Sequence, residues 1–250
     1  MKLLRKLPAL TSLDLSRSFP TEDFFQTLTP GLVSGRVMGA LGKLTGLQEL
    51  SLEDFGFYIG EGGGGPRHTI KLGASVQCLS KLTALRSLNL KCSAGFTQVG
   101  VRTLGQMRSL TELNLRGCMS AGAWRGGIPI DGILALLSGL TALTSLNLKD
   151  TNRMVNDVSD ADLEALSRLT ALKTLRVGDT EEGGEVGAEL FEGSGTATEA
   201  GVKALSTLTR LTNLNLDGWL NDQAMQALHK IPALHALCVA DKPNPAVFEW

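Results

Sequence analysis

The residues of this sequence that could carry out chemistry are few and widely separated. Gly60, Gly62 and Gly65 satisfy the G-x-G-x-x-G spacing of dinucleotide-binding loops, within the segment YIGEGGGGPR. Such a loop needs a strand before the glycines and a packed helix after them, because the helix N-terminus receives the pyrophosphate. Pro66 and Arg67 follow here instead. We therefore interpret the glycine run as a surface loop and expect no cofactor.

The histidines and cysteines likewise form no pattern typical of a metal site or a catalytic pair. None of the three histidines, His68, His229 and His235, stands at a zinc-site spacing from a cysteine. A catalytic nucleophile also needs a base positioned beside it, and no such pair follows from the spacing. The sequence therefore predicts that the protein is not an enzyme. An enzyme with its site on surface loops is the alternative.

The use of cysteine indicates a cellular compartment. The four cysteines are scattered along a chain that is long enough to fold without disulfide bonds. Such usage is typical of a reducing environment, so we expect an intracellular, cytoplasmic protein. The four are Cys78, Cys92, Cys118 and Cys238.

Composition and charge exclude further functional classes. The chain has 250 residues, of which 43% are hydrophobic, and its formal net charge is −1. Because no apolar run approaches the length of a membrane-spanning helix, we expect no membrane insertion. The balanced charge gives no general attraction to nucleic acid. Charge is nonetheless uneven along the chain, since residues 179–199 contain seven acidic groups and no basic one.

A leucine pattern recurs eight times along the sequence. The helices and strands that it predicts must hold the polar residues in position. Two of its copies are LTALTSLNL at residues 140–148 and LTRLTNLNL at residues 208–216. A three-residue apolar spacing before each copy predicts a short helix, and the two-residue alternation at its end predicts a short strand. Pro8 and Pro232 stand between the two, where we expect them to end the helix. The second leucines of the copies are Leu10, Leu47, Leu85, Leu110, Leu143, Leu172, Leu211 and Leu234.

The repeat unit is too small to be stable alone. Its basic length is about 24 residues, so each unit must share its apolar faces with its neighbours. We therefore expect one domain over residues 1–242, with a C-terminal tail over residues 243–250. The repeats begin almost at Met1 without a polar cap. The chain is then either a fragment, or its first repeat is a surface for self-association, while the tail covers the other end.

The pattern L-x-x-L-x-x-L-x-x-L-x-L, followed three residues later by Thr, Cys or Ser, resembles the leucine-rich repeat superfamily. The segments SDADLEALSRLTALKTLRVGDT (159–180) and TEAGVKALSTLTRLTNLNLDG (198–218) are similar to its cysteine-containing class. The resemblance implies an α/β fold. This fold is a leucine-rich repeat solenoid, a curved right-handed array with a parallel sheet on the concave side and short helices on the convex side. It also implies a non-catalytic protein-interaction module. A substrate-recruiting subunit of a ubiquitin-ligase-type assembly is the alternative.

The resemblance further implies that the residue three places after the last strand leucine turns inward and binds the backbone of the next turn. The matching residues are Ser18, Ser93, Cys118, Thr151 and Thr180. Phe55, Trp219 and Lys242 depart from the pattern.

The register of the strands places their polar residues in three columns on the concave side. Four cations fall close together there, and on one rigid sheet they would attract an acidic protein segment. An ordinary solvated sheet face is the alternative, and the acidic segment 179–199 could also fold over these cations. The candidate partner-binding residues of this face are Lys91, Arg116, Lys149, Arg176, Asn89, Asn114, Asn147 and Glu112.

Four insertions follow strands and should emerge along one edge of the array, which gives a second candidate surface. They cover residues 19–38, 55–73, 119–132 and 181–198. Within them, Tyr58 and Trp124 are candidate aromatic anchors for a partner. Packing of these rings against the solenoid is the alternative.

Overall fold

Eight short parallel strands, one from each repeat, form the central sheet of the computed structural model. The structure describes residues 9–17, 30–54, 57–58, 68–69, 73–120, 132–149, 151, 159–178, 199–217, 222–240 and 246–249. The strands are β1 (Ser12–Asp14), β2 (Glu49–Ser51), β3 (Phe57–Tyr58), β4 (His68–Thr69), β5 (Ser87–Asn89), β6 (Ala94–Phe96), β7 (Glu112–Asn114), β8 (Met119–Ser120), β9 (Ser145–Lys149), β10 (Thr174–Gly178), β11 (Asn213–Asp217), β12 (Ala236–Ala240) and β13 (Ala246–Glu249).

The main sheet runs in the order β1-β2-β5-β7-β9-β10-β11-β12-β13. Its first eight strands are parallel neighbours in repeat order, and β13 pairs with β12 in the antiparallel direction. We call each repeat a coil and number the coils 1 to 8 by these eight strands. Two small sheets lie outside the main one, formed by β3 with β4 and by β6 with β8.

Short helices form a second layer, because each coil returns to the start of the next strand through one of them. Neighbouring helices in the chain pack against each other along the array. The helices are α1 (Pro30–Leu41), a 3-10 helix (Gly73–Lys81), α2 (Gln98–Gly105), α3 (Ile133–Leu137), α4 (Asp160–Ser167), α5 (Glu199–Ala204) with a 3-10 extension (Leu205–Thr207), and α6 (Asp222–Leu228). The predicted α/β solenoid is thereby confirmed.

Strand and helix leucines pack between the two layers in one continuous core. Leu50, Leu88 and Leu146 are at most 2% exposed, while their strand neighbours on the other face are polar and partly exposed. The alternation therefore buries one face of every strand, as the two-residue spacing predicts. Only in coil 1 are the corresponding leucines, Leu10, Leu13 and Leu15, partly buried among the described residues.

The turn between helix and strand differs from the prediction. Helix α6 ends at Leu228, before Pro232, so the proline does not end it. The N–H of Leu234 instead donates to the carbonyl of Ile231, and Pro232 is the second residue of that turn. Proline is favoured there because its fixed φ matches the turn. Other coils have a threonine as the second residue of an equivalent turn. One such turn is closed by the hydrogen bond of 2.9 Å from the N–H of Leu47 to the carbonyl of Leu44.

The inward residue after each strand also differs from the prediction, in the coil to which its side chain donates. Ser93 and Cys118 are fully buried, as expected, but they donate to the previous coil: Ser93 Oγ to Leu52 O at 3.1 Å and Cys118 Sγ to Leu90 O at 2.9 Å. The prediction that they bind the next turn was wrong. Thr151 is buried and donates to Leu148 O of its own coil. Outside the described residues lie Ser18, Thr180, Phe55, Trp219 and Lys242.

The reason lies in the parallel ladder. In a regular ladder, Leu52 O would accept from the N–H of Lys91, because Leu52 N already donates to Asn89 O. The Lys91 N–H donates instead to Asn89 Oδ1 at 3.1 Å. Leu52 O is left without its ladder donor, and Ser93 Oγ fills the place. Cys118 does the same one coil later, where the Arg116 N–H is taken by Asn114 Oδ1 at 3.1 Å.

Candidate functional site

The predicted polar columns lie on one face of the main sheet, which we call the concave face. Strand pairing brings Asn89 beside Asn114 and Asn114 beside Asn147 in the central column. Arg176 lies beside Asn147, and Gly178 lies beside Lys149. The structure therefore brings the predicted surface residues of coils 3 to 6 together in the expected register.

The asparagines of the central column hold the ends of their own strands. Asn89, Asn114 and Asn147 each accept, through Oδ1, the N–H two residues later, at 3.1 Å in all three cases. Asn89 Nδ2 also donates to Ser51 Oγ at 3.1 Å. These side chains are therefore fixed in place, which makes them well-oriented surface groups.

Charge on the concave face is partly cancelled within the sheet. Lys91 Nζ lies 2.8 Å from Glu53 Oε1 of the neighbouring coil, and Arg17 NH2 lies 3.6 Å from the same oxygen. Arg17 Nε also contacts Asp54 Oδ2 at 3.2 Å. Lys91 is therefore matched by an acid of the neighbouring coil.

The other three cations differ in their surroundings. Arg116 and Lys149 are half-buried and make polar or electrostatic contacts. Arg176 is exposed, and within the described part of the chain it makes no hydrogen bond or ion pair. Glu112 lies nearby in the first column and accepts from Ser87 Oγ at 3.1 Å.

The Glu53 to Lys91 contact should be visible in the pH dependence of stability. The hydrogen bond from Lys91 holds the pKa of Glu53 below its ordinary value of 4.5. A carboxyl whose pKa is lowered by folding stabilises the protein above its unfolded pKa, and this contribution is lost as the pH falls through the folded pKa. Between about pH 5.5 and pH 3, wild type should lose about 0.2–1 kcal/mol more of its free energy of unfolding than Glu53→Gln.

Urea unfolding of both proteins across this pH range measures the difference. Glu112→Gln is the matched control, because it removes a carboxylate from the concave face and leaves the Lys91 contact in place. Parallel stability profiles for wild type and Glu53→Gln would show that the ion pair contributes nothing.

Two of the four thiols, those of Cys92 and Cys118, are unsuited to act as nucleophiles. Cys118 is fully buried, and its burial raises its pKa far above the ordinary value. Burial also raises the pKa of Cys92, which is half-buried. A reactive cysteine needs the opposite shift, because the thiolate is the reactive form. Cys78 and Cys238 are half-buried, and all four cysteines are free.

The described residues form neither a metal-binding cluster nor a membrane-spanning helix. Within those ranges, no three His, Cys, Asp or Glu side chains lie where they could share a metal ion. Among the same residues, no helix has the length and apolar character needed to cross a membrane.

The predicted loop anchors are only partly covered by the structure. Tyr58 lies in β3, opposite His68 of β4. Trp124 and the segment 181–198 lie outside the described residues. Helix α1 begins within the first insertion, so that segment is in part a helix and not a loop.

One residue that the sequence places in the central column was not among the predicted partner-binding residues. Asn215 occupies the central column in coil 7, beside Arg176 and Cys238. Its Oδ1 is buried and has no hydrogen-bond partner. The LNL signature of coil 7 is the same as that of coils 4 and 5, so the sequence holds no signal that separates Asn215 from Asn114 or Asn147.

Comparisons with known proteins found similar structures but no similar sequences. No protein-family model matches the chain, and no curated protein matches it. Internalin C2 from Listeria monocytogenes is 19% identical with a TM-score of 0.49, over 80% of this chain and 64% of that one. A leucine-rich repeat protein from Leptospira interrogans is 15% identical with a TM-score of 0.41, over 96% of this chain and 64% of that one.

This chain therefore spans less than two thirds of the length of either structure. The fold follows from its own features, which are eight copies of the leucine pattern, a ladder of eight parallel strands in repeat order, and a layer of short helices behind it. Together these features give the chain the leucine-rich repeat fold.

Proposed function

We propose that this protein is a non-catalytic protein-interaction module whose partner contacts the concave face. The observation that carries the proposal is the in-register set of polar side chains over eight coupled strands. The ladder and the asparagine bonds fix these groups before binding, so little conformational entropy is lost when a partner docks.

The partner surface is acidic in this proposal. Arg116, Lys149 and Arg176 belong to three neighbouring coils of the sheet, and Arg176 is exposed. Cations on a rigid sheet orient an oppositely charged partner and speed its association. Asn114, Asn147 and Glu112 lie on the same face of the sheet and would contribute hydrogen bonds.

Three other roles stay predictions from the sequence. They are binding through the loop-rich edge with Tyr58 and Trp124, self-association through the first coil, and recruitment of substrates to a ubiquitin-ligase-type assembly. A cytoplasmic location also stays a prediction. The four free thiols agree with a reducing compartment.

Site-specific photocrosslinking tests the proposal. A photoreactive amino acid at Glu112, exposed on the concave face, should crosslink a protein partner in cells. The same amino acid at Arg102, exposed on helix α2 of the same coil, should not. Crosslinks from position 58 with none from position 112 would place the partner on the loop-rich edge and contradict the proposal.

Charge reversal provides the second arm. Arg116→Glu, Lys149→Glu and Arg176→Glu together should weaken the crosslinked complex at least tenfold. The control variant carries Arg102→Glu, Arg108→Glu and Lys203→Glu, three exposed cations outside the columns, and has the same net charge. Equal loss in both variants would mean that the basic residues act only through net charge.

A further inference from the structure

The concave face has one depression where a hydrogen-bond acceptor is left unused. It measures about 180 Å³ and lies over strands β10, β11 and β12. Arg176, Asn215 and Cys238 line it in the central column, with Asn213 and Ala236 in the first column. The small side chains of Ala236 and Cys238 leave this space where a longer residue would fill it.

The unused acceptor is Asn215 Oδ1. In coils 3, 4 and 5, the equivalent oxygen accepts the N–H two residues later. In coil 7, Asn215 Oδ1 is buried and has no hydrogen-bond partner. It therefore differs from its counterparts in the same column.

A buried acceptor without a donor is costly, so native proteins keep few of them, and each one calls for an explanation. A ligand that supplies the donor is such an explanation. The neighbouring Arg176 is exposed and has no hydrogen bond or ion pair in the described part of the chain. The depression thus combines an acceptor that has no donor with a cation that has no ion pair among the described residues.

The size of the depression limits what can bind. Its 180 Å³ corresponds to about six water molecules at roughly 30 Å³ each. Pockets for cofactors or drug-sized ligands are usually about 300–1,000 Å³. The space suits one amino-acid residue of a partner chain. Arg176 and Asn215 are direct neighbours on adjacent strands, which lie about 4.8 Å apart.

We infer that this depression is the recognition point for an acidic residue of the partner protein. The carboxylate of an Asp or Glu binds the guanidinium of Arg176, and its main-chain N–H donates to Asn215 Oδ1 once the side-chain amide turns this buried oxygen toward the depression. This inference rests on the proposed function and moves the most specific contact from coils 4 to 6 toward coils 6 to 8.

The test is NMR titration of the isotope-labelled full chain with N-acetyl-glutamate N-methylamide, a blocked glutamate. Saturable shifts should appear in β10, β11 and β12 at millimolar concentrations. The blocked glutamine, which has the same shape without the charge, should bind at least tenfold more weakly. Arg176→Gln should remove this preference. Equal binding of the two probes, or no saturable shifts, would overturn the inference.

A second variant separates a ligand site from a place for an ordered water. Asn215→Leu removes the unused acceptor with little change in size, so it should raise the midpoint of thermal unfolding while it weakens binding of the blocked glutamate. A lower midpoint would mean that Oδ1 already has a partner in the free protein, which contradicts the inference. Crosslinks from position 112 without binding of the probe would leave the proposed function standing and remove this inference alone.

Discussion

Leu104→Ala is expected to lower the free energy of unfolding by about 2–5 kcal/mol. Leu104 lies in helix α2 and is fully buried in the continuous core between helix and sheet. Alanine loses the transfer free energy of the removed carbons and leaves a cavity that packed neighbours on both sides cannot fill. Urea unfolding followed by circular dichroism measures the loss.

The matched control is Val99→Ala in the same helix. Val99 is 51% exposed, and alanine is the better helix former, so its effect should stay within about 0.5 kcal/mol. If Leu104→Ala were as mild as Val99→Ala, the helix layer would not be packed on the sheet as described.

Gly105→Ala should also destabilise the protein, by about 1–3 kcal/mol. Gly105 ends helix α2, and a Cβ there would overlap the carbonyl oxygen of Leu136 in the next coil and lie 2.9 Å from its carbonyl carbon. Both atoms belong to the backbone, so a rotamer change cannot relieve the clash. Neighbouring coils would have to move apart. Thermal and urea unfolding measure the effect.

Gly39→Ala is the control for this glycine. It lies in helix α1, and a Cβ there would meet no atom within 4 Å. Since alanine is favoured over glycine in a helix, this variant should gain about 0.5–1 kcal/mol. Opposite signs for the two variants are expected, and a stabilising Gly105→Ala would show that the coils are not in close contact at that point.

The register of the sheet could be predicted to the residue because the leucine pattern fixes which side chains are buried. A slip of one residue would expose a whole set of leucines, so Leu88, Leu113 and Leu146 align without ambiguity. The pairing of Lys91 with Glu53 was also within reach of the sequence, because both stand in the third column on neighbouring strands.

Other features depend on contacts between coils that no single repeat encodes. The direction of the Ser93 and Cys118 hydrogen bonds follows from which ladder donor an asparagine removes. The unpartnered oxygen of Asn215 is not encoded in its repeat either, because the same LNL signature in coils 3 to 5 has a bonded asparagine oxygen at this place. The tail was expected at the far end of the array, but its antiparallel pairing as β13 was not predicted.

The central claim is that the coils form one cooperative unit that holds the concave face rigid. Native-state hydrogen exchange at increasing urea tests it at the amides of three buried leucines, Leu90, Leu115 and Leu211. The first two follow strands β5 and β7 and donate to the next coil, and Leu211 closes the turn before β11. We expect their opening free energies to merge into one global unfolding transition. Separate transitions for coils 3 and 4 against coil 7 would show two independent units and contradict the account.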